Sequence, residues 1–186
     1  ALIVGYGEIG KRVGGVLGSL GVSVIGVQRA PSNPRDGDVA LYSPDALADL
    51  LPETDFLFLT LPLTPDTERL IGEKELALLP SEAILINVSR GPVVDQEALY
   101  HALRDGKLFG AGLDVWYHYP PDEGARQNTP PADYPFHELE RVVLSPHRGG
   151  STRSSERLRM IHLARVINAA ARGEEMPNRV DLESGY

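Results

Sequence analysis

An α/β fold is predicted, built as a doubly wound parallel sheet with helices on both faces. Three features predict it. Short apolar runs rich in β-branched residues alternate with helical stretches along the chain, the pattern of successive βαβ units. The strand over 83–88 carries a continuous apolar run, as expected when both faces of a sheet are covered. The first strand passes through a glycine-rich turn directly into the first helix.

The elements follow in order. Residues 1–4 read as a strand, 8–20 as a helix and 22–27 as a strand, after which 30–43 reads as a polar connection. A short helix over 44–51 starts at Pro44, with Ser43 as its expected N-cap. A strand over 55–61 precedes a helix over 72–79 that stops at Pro80. After the 83–88 strand, the helix over 95–105 ends at Gly106, where a residue free to turn left-handed is favoured. Strands over 108–113 and 141–144 and a long helix over 152–172 complete the set. Right-handed crossovers would join these units into one open sheet. The proline-rich stretch 116–138 is the one long irregular segment, and such a loop in a compact domain marks a functional element or disorder. No internal repeat or shift in composition marks a second domain.

Composition narrows the function classes. The 186 residues carry 18 basic and 26 acidic side chains, a formal net charge of −8. An acidic chain without a cluster of Lys and Arg lacks the surface that neutralises nucleic-acid phosphates. The absence of Cys excludes a disulfide scaffold, a zinc–thiolate site and a thiol nucleophile. No metal site is expected. No apolar run approaches the roughly 20 residues that span a bilayer, and no leader is evident, so a soluble cytoplasmic protein is expected. The chain opens with Ala1 already inside a strand, which reads as a fragment whose preceding segment is missing.

Six segments carry chemistry, each at the carboxyl end of a predicted strand, where ligands bind in such sheets. In Gly5-Tyr6-Gly7-Glu8-Ile9-Gly10, Gly5 permits a tight turn, Gly7 lets a pyrophosphate approach the backbone, and Gly10 lets the helix pack closely. The helix N-terminus then favours the phosphates, in the Rossmann manner. At the end of the next strand an acid would normally meet the ribose hydroxyls of NAD. Gln28 and Arg29 stand there instead. Arg29 can pair with a 2′-phosphate, with Arg35 as a possible helper, so NADP is preferred and NAD remains possible. Leu61 and Pro62 offer an apolar wall. Arg90, held between a buried strand and Gly91-Pro92, suits a substrate carboxylate and carbonyl. Asp114 can accept from a carboxamide or cap its turn. His147, after Pro146 and before Gly149-Gly150, suits a proton donor.

Together these segments resemble the D-isomer-specific 2-hydroxyacid dehydrogenases, a family that includes glyoxylate/hydroxypyruvate reductases. The matching stretches are 4–10, 61–64, 86–91, 110–115 and 145–150, in the family's order and across almost the whole chain. The resemblance implies that 1–186 is the dinucleotide-binding domain, with the separate substrate domain absent from this chain and 173–186 returning towards it. It implies a homodimer and a small 2-keto or 2-hydroxy acid as substrate. Arg90 resembles the substrate-orienting arginine and His147 the donor to the keto oxygen. Asp114 resembles the residue that holds the carboxamide. Glu8 and Ile9 would lie at the pyrophosphate, Val88 and Ser89 beside the nicotinamide ribose, and Thr67 and Gly149 near the cofactor. One position departs. The family carries a Glu five residues beyond the Asp, just before a Pro, where this chain has Tyr119. A phenol can bond the imidazole without supplying the charge that favours imidazolium, so reduction is expected to be best at acidic pH. Asp122 or Glu123 could fold back in place of the missing acid. The same resemblance extends to dinucleotide-sensing corepressors and to degenerate, inactive relatives. The corepressors keep the acid that is absent here.

Overall fold

In the computed structural model, which describes residues 1–31 and 33–176, one strand sits where the winding direction reverses. That strand is β1 (Leu2–Val4). On one side it pairs in parallel with β2 (Ile25–Val27), which pairs in parallel with β4 (Val39–Tyr42). On the other side lie β5 (Phe56–Leu59), β6 (Ile84–Asn87), β7 (Gly110–Leu113) and β8 (Val142–Leu144), all parallel. A two-residue strand, β3 (Arg35–Asp36), adds the single antiparallel edge. The order is β3-β4-β2-β1-β5-β6-β7-β8, so the topological switch point lies between β1 and β5.

Alternation along β1 separates two cores. Leu2 and Val4 join a large cluster with Leu57, Leu59, Leu85, Leu99 and Phe136. Ile3 points the other way, into a small cluster with Tyr6 and Leu41. The helix α1 (Glu8–Ser19) covers the small cluster and buries only Gly10 and Gly14 fully. A Cβ at Gly14 would lie 3.2 Å from the Tyr6 ring, and one at Gly26 only 2.7 Å from it. Both glycines therefore make room for a tyrosine that is buried beneath the turn. The large cluster is covered by α3 (Glu73–Leu78) and α4 (Gln96–Arg104). Asp95 caps α4 by accepting from the Ala98 N–H at 3.0 Å, and Gly106 ends it with φ of +69°.

The expected strands and helices are present, most of them shorter at their ends. The polar connection expected over 30–43 is corrected. It holds the β3–β4 hairpin, turned at Gly37 with φ of +61°. Polar flanks and a glycine hide the stretch Val39-Ala40-Leu41, of which Leu41 is buried. The 44–51 helix is also corrected: it is a 3₁₀ turn at Pro44–Ala46 followed by the short helix α2 (Leu47–Leu50). Ser43 stands at the N-cap position without a side-chain bond to the turn.

Contacts divide the chain into two units, Ala1–His147 and a second that begins at Arg148. The second contains α5 (Arg153–Ala171), capped by Thr152, whose hydroxyl accepts from the Ser155 N–H at 3.0 Å. The expected return of 173–186 towards a substrate domain falls, from 177 onward, outside the described residues. Among the described residues, no helix is long and apolar enough to cross a membrane.

Candidate active site

Strand register builds the site. Val27, Val4, Leu59, Asn87, Leu113 and Leu144 are paired across neighbouring strands in one row. The next residue of each strand, namely Gln28, Gly5, Thr60, Val88, Asp114 and Ser145, therefore starts a loop at the same edge. Every sequence segment with candidate chemistry in the first unit opens here.

The glycine turn behaves as its spacing predicts. Gly5 takes φ of +93°, a left-handed conformation that favours glycine. The N–H groups of Gly5 and Tyr6 both donate to the Val27 carbonyl, at 2.9 and 3.0 Å. A Cβ on Gly10 would lie 2.7 Å from the Gly5 carbonyl oxygen, so only glycine lets α1 sit this close. Gly7 is the N-cap and has open space where a Cβ would stand, and Glu8 and Ile9 beside it are exposed. With no side-chain oxygen on its N-cap, α1 presents an approachable, positively polarised terminus. These features fit a dinucleotide pyrophosphate. Sequence reasoning missed Thr60, whose hydroxyl donates to the Gly5 carbonyl at 2.8 Å and ties the turn to β5.

Gln28 and Arg29 follow β2 at the same edge, with Arg29 exposed. The Arg35 guanidinium is engaged within the hairpin, donating to the Asp38 carbonyl at 3.0 Å. Leu61 is a core residue packed against Gly5, so of the expected apolar wall it is Pro62 that faces solvent. Thr67 locks the following loop. Its hydroxyl donates to the Pro62 carbonyl and accepts from the Thr64 N–H, both at 2.7 Å.

Asn87, inside the matched stretch 86–91 but given no role by the sequence, organises the arginine turn. It is buried, and its Oδ1 accepts from the Ser89 N–H at 3.0 Å and from the Ser89 hydroxyl at 2.8 Å. Its Nδ2 donates to the Arg90 carbonyl at 2.9 Å. Val88 and Arg90 are left exposed on either side of buried Ser89. The Arg90 guanidinium donates to the Ser89 carbonyl at 2.7 Å. A polar residue closing an apolar strand was the signal that could have found Asn87. Gly91 then brings this turn against the Trp116 backbone, where a Cβ would lie 2.3 Å from the Trp116 oxygen.

Trp116 is the hub of the opposite half. Its indole N–H donates to the Ser145 carbonyl at 2.9 Å, and its backbone N–H donates to the Tyr119 hydroxyl oxygen at 3.1 Å. The Tyr119 hydroxyl lies 3.0 Å from His147 Nδ1. Asp114, buried, accepts from the Ser145 hydroxyl at 2.5 Å. His147 adopts φ of +55°, unusual for a residue other than glycine. Asp122 and Glu123 do not fold back onto the imidazole. Asp122 instead accepts from the Ala125 N–H at 2.9 Å, and Glu123 pairs with Arg126 at 3.4 Å. Asp122 is drawn into capping its own short turn, a local competitor that sequence distance conceals. Gly149 belongs to the second unit, ahead of α5.

The loop beyond Tyr119 is clasped. His118 Nε2 meets Asp133 at 2.9 Å, and the Gln96 amide also donates to Asp133. These bonds hold the Asp133 carboxyl below its usual range. Tyr117 stacks on Phe136, and burial pushes its phenol well above the ordinary tyrosine value.

Residues 1–149 match the family model described as D-isomer specific 2-hydroxyacid dehydrogenase, NAD binding domain. The chain is 37% identical over 181 residues to a glyoxylate reductase of Thermococcus litoralis, covering 97% of this chain and 51% of that protein. It is 32% identical to a D-3-phosphoglycerate dehydrogenase of Methanocaldococcus jannaschii, covering 97% of this chain and 32% of that one. The chain thus spans about a third to about half of the length of these relatives. A D-isomer specific 2-hydroxyacid dehydrogenase from Xanthobacter autotrophicus Py2, solved with NADPH and MES, superposes with a TM-score of 0.86 at 32% identity over 100% of this chain and 72% of that one. D-lactate dehydrogenase from Lactobacillus jensenii, solved with NAD+, gives 0.80 at 29% identity over 97% and 55%. With its glycine turn, arginine turn and histidine on one sheet edge, and its family model matched over most of its length, this chain belongs to the D-isomer specific 2-hydroxyacid dehydrogenases, as their NAD(P)-binding domain.

Proposed function

We propose that the intact protein reduces a small 2-keto acid reversibly to the 2-hydroxy acid, with NADPH preferred over NADH. The carrying observation is the single row that starts the glycine turn, the arginine turn and the segment leading to His147 from one edge of the sheet. When bound, the dinucleotide supplies the hydride. Gly5, Gly7 and the start of α1 would bind its diphosphate, and Asp114 the carboxamide. Arg90 would neutralise the substrate carboxylate and polarise its carbonyl. His147 would give a proton from Nε2 to the oxygen as the carbonyl carbon becomes a C–H centre. Much of the rate would come from holding the reactants at attack distance.

The NADPH preference rests on Arg29 and on the lack of a carboxylate at 28–29. Nicotinamide fluorescence titration tests it: NADPH should bind about tenfold more tightly than NADH, and Arg29→Ala should remove the difference, as the loss of one charged pair implies. Equal affinities in wild type discard the phosphate clamp. For the chemistry, His147→Ala in the intact protein should lower kcat at least 100-fold, and an unchanged rate discards the mechanism in favour of a sensing or degenerate relative. A homodimer in the cytoplasm belongs to the same proposal on the family resemblance, and sedimentation and cell fractionation test it.

A further inference from the structure

We propose that Tyr119 is a positioning residue that selects the tautomer of His147. The inference rests on the proton-donor role given above to His147, and it concerns the nitrogen that role leaves unused. The phenol oxygen accepts the Trp116 backbone N–H at 3.1 Å, which fixes its place. Having accepted that bond, the hydroxyl keeps one hydrogen to donate. Among the described residues, the acceptor recorded within its reach is His147 Nδ1, at 3.0 Å. A hydrogen donated there requires a bare Nδ1, so the neutral ring carries its proton on Nε2.

The geometry comes from one residue. Trp116 ties Tyr119 through its backbone N–H, and through its indole it ties the Ser145 carbonyl, two residues before His147. Phenol and imidazole are therefore held to a common anchor. The arrangement also tolerates the charged ring. When a proton from solvent adds to Nδ1, the Tyr119 O–H turns about its C–O bond and the oxygen accepts from Nδ1–H. No bond within the tyrosine is broken. After Nε2 gives its proton to a substrate oxygen, the neutral ring holds its remaining proton on Nδ1. Exchange with solvent then returns that proton to Nε2, and Tyr119 turns back to donate. A carboxylate, which only accepts, would hold the neutral ring the other way, with the proton on Nδ1.

The test is ¹⁵N NMR of the histidine-labelled intact protein, with the His147 signals assigned by their loss in His147→Gln. Once the ring is neutral, wild type should show a bare Nδ1 and a protonated Nε2. In Tyr119→Phe the two signals should move towards each other as the second tautomer populates. In Tyr119→Glu the two nitrogens should exchange character. Tyr119 is about half exposed (46%), so neither variant opens the core. A neutral wild-type ring protonated on Nδ1 would overturn the proposal, as would a Tyr119→Phe spectrum identical to wild type. The readout needs no turnover. A protein inactive on every keto acid but with the expected tautomers would remove the proposed function alone, whereas an active protein with the wrong tautomer would remove this proposal alone.

Discussion

Gly91→Ala should be among the most damaging single-methyl additions in the chain. The new Cβ would stand 2.3 Å from the Trp116 carbonyl oxygen and 2.4 Å from its carbon, inside the 3.0 Å that real contacts respect. The obstacle is backbone, which cannot swing aside as a side-chain tip can. Gly91 is not among the residues with positive φ, so the cost is steric and not conformational. Overpacking of this kind costs about 1–3 kcal/mol. Moving Trp116 also strains its bonds to Tyr119 and Ser145, worth about 1 kcal/mol each. A stiffer unfolded chain returns about 0.4–1 kcal/mol. The net loss is then about 2–4 kcal/mol, which for a chain of this size lowers Tm by roughly 10 °C. Urea unfolding followed by circular dichroism measures it. Gly15→Ala is the control. A Cβ there meets nothing within 4 Å, and an exposed helical glycine replaced by alanine gains about 0.5–1 kcal/mol. A Gly91→Ala loss below about 1 kcal/mol would refute the close approach of the arginine turn to Trp116.

Asn87→Ala removes three hydrogen bonds from a buried site, so it should cost about 2–4 kcal/mol. On the proposed function, it should also raise the intact protein's KM for a keto acid as Arg90 loses its fixed turn, and an unchanged KM would detach Asn87 from substrate binding. Acid should loosen the clasp near Asp133. Its carboxyl is held below 3.8, chiefly by the His118 bond and then by Gln96, so its stabilisation is present above about pH 3.8 and is lost as pH falls through the lower folded value. Trp116, the only tryptophan, should report this by fluorescence. With Gln96→Ala the change should begin at higher pH, and an identical acid limb in both proteins would sink the assignment.

Much of the sheet was legible because its strands are strongly apolar and its turns are marked by glycine. Gly5, Gly10 and Gly106 each do what their spacing implied. The β3–β4 hairpin was not legible, because two of its strand residues are Arg35 and Asp36 and its pairing is set by a partner strand. At the site, motif residues were placed by register alone, since strands that end in one row launch their loops together. The supporting residues were hidden for a different reason. Thr60, Asn87, Trp116 and Ser145 act through backbone groups 29 to 56 positions away or through tight local turns, and no periodicity records such pairings. The contact between Tyr119 and His147 spans 28 positions and became visible only once the Trp116 turn was folded.

The thin layer beneath α1 has a dynamic consequence. Among the described residues, the buried members of its cluster are Ile3, Tyr6 and Leu41, while the helix itself carries Gly10, Gly14, Gly15 and Gly18. Few buried contacts and a glycine-rich backbone place α1 at the low end of local unfolding free energies. Its amides should therefore exchange with solvent sooner than those of α4 in the free protein. A dinucleotide seated on its first turn at 100 times its Kd would add about 2.7 kcal/mol against that opening. On the proposed function, the helix that would receive the diphosphate is thus the one whose breathing a bound dinucleotide should quiet.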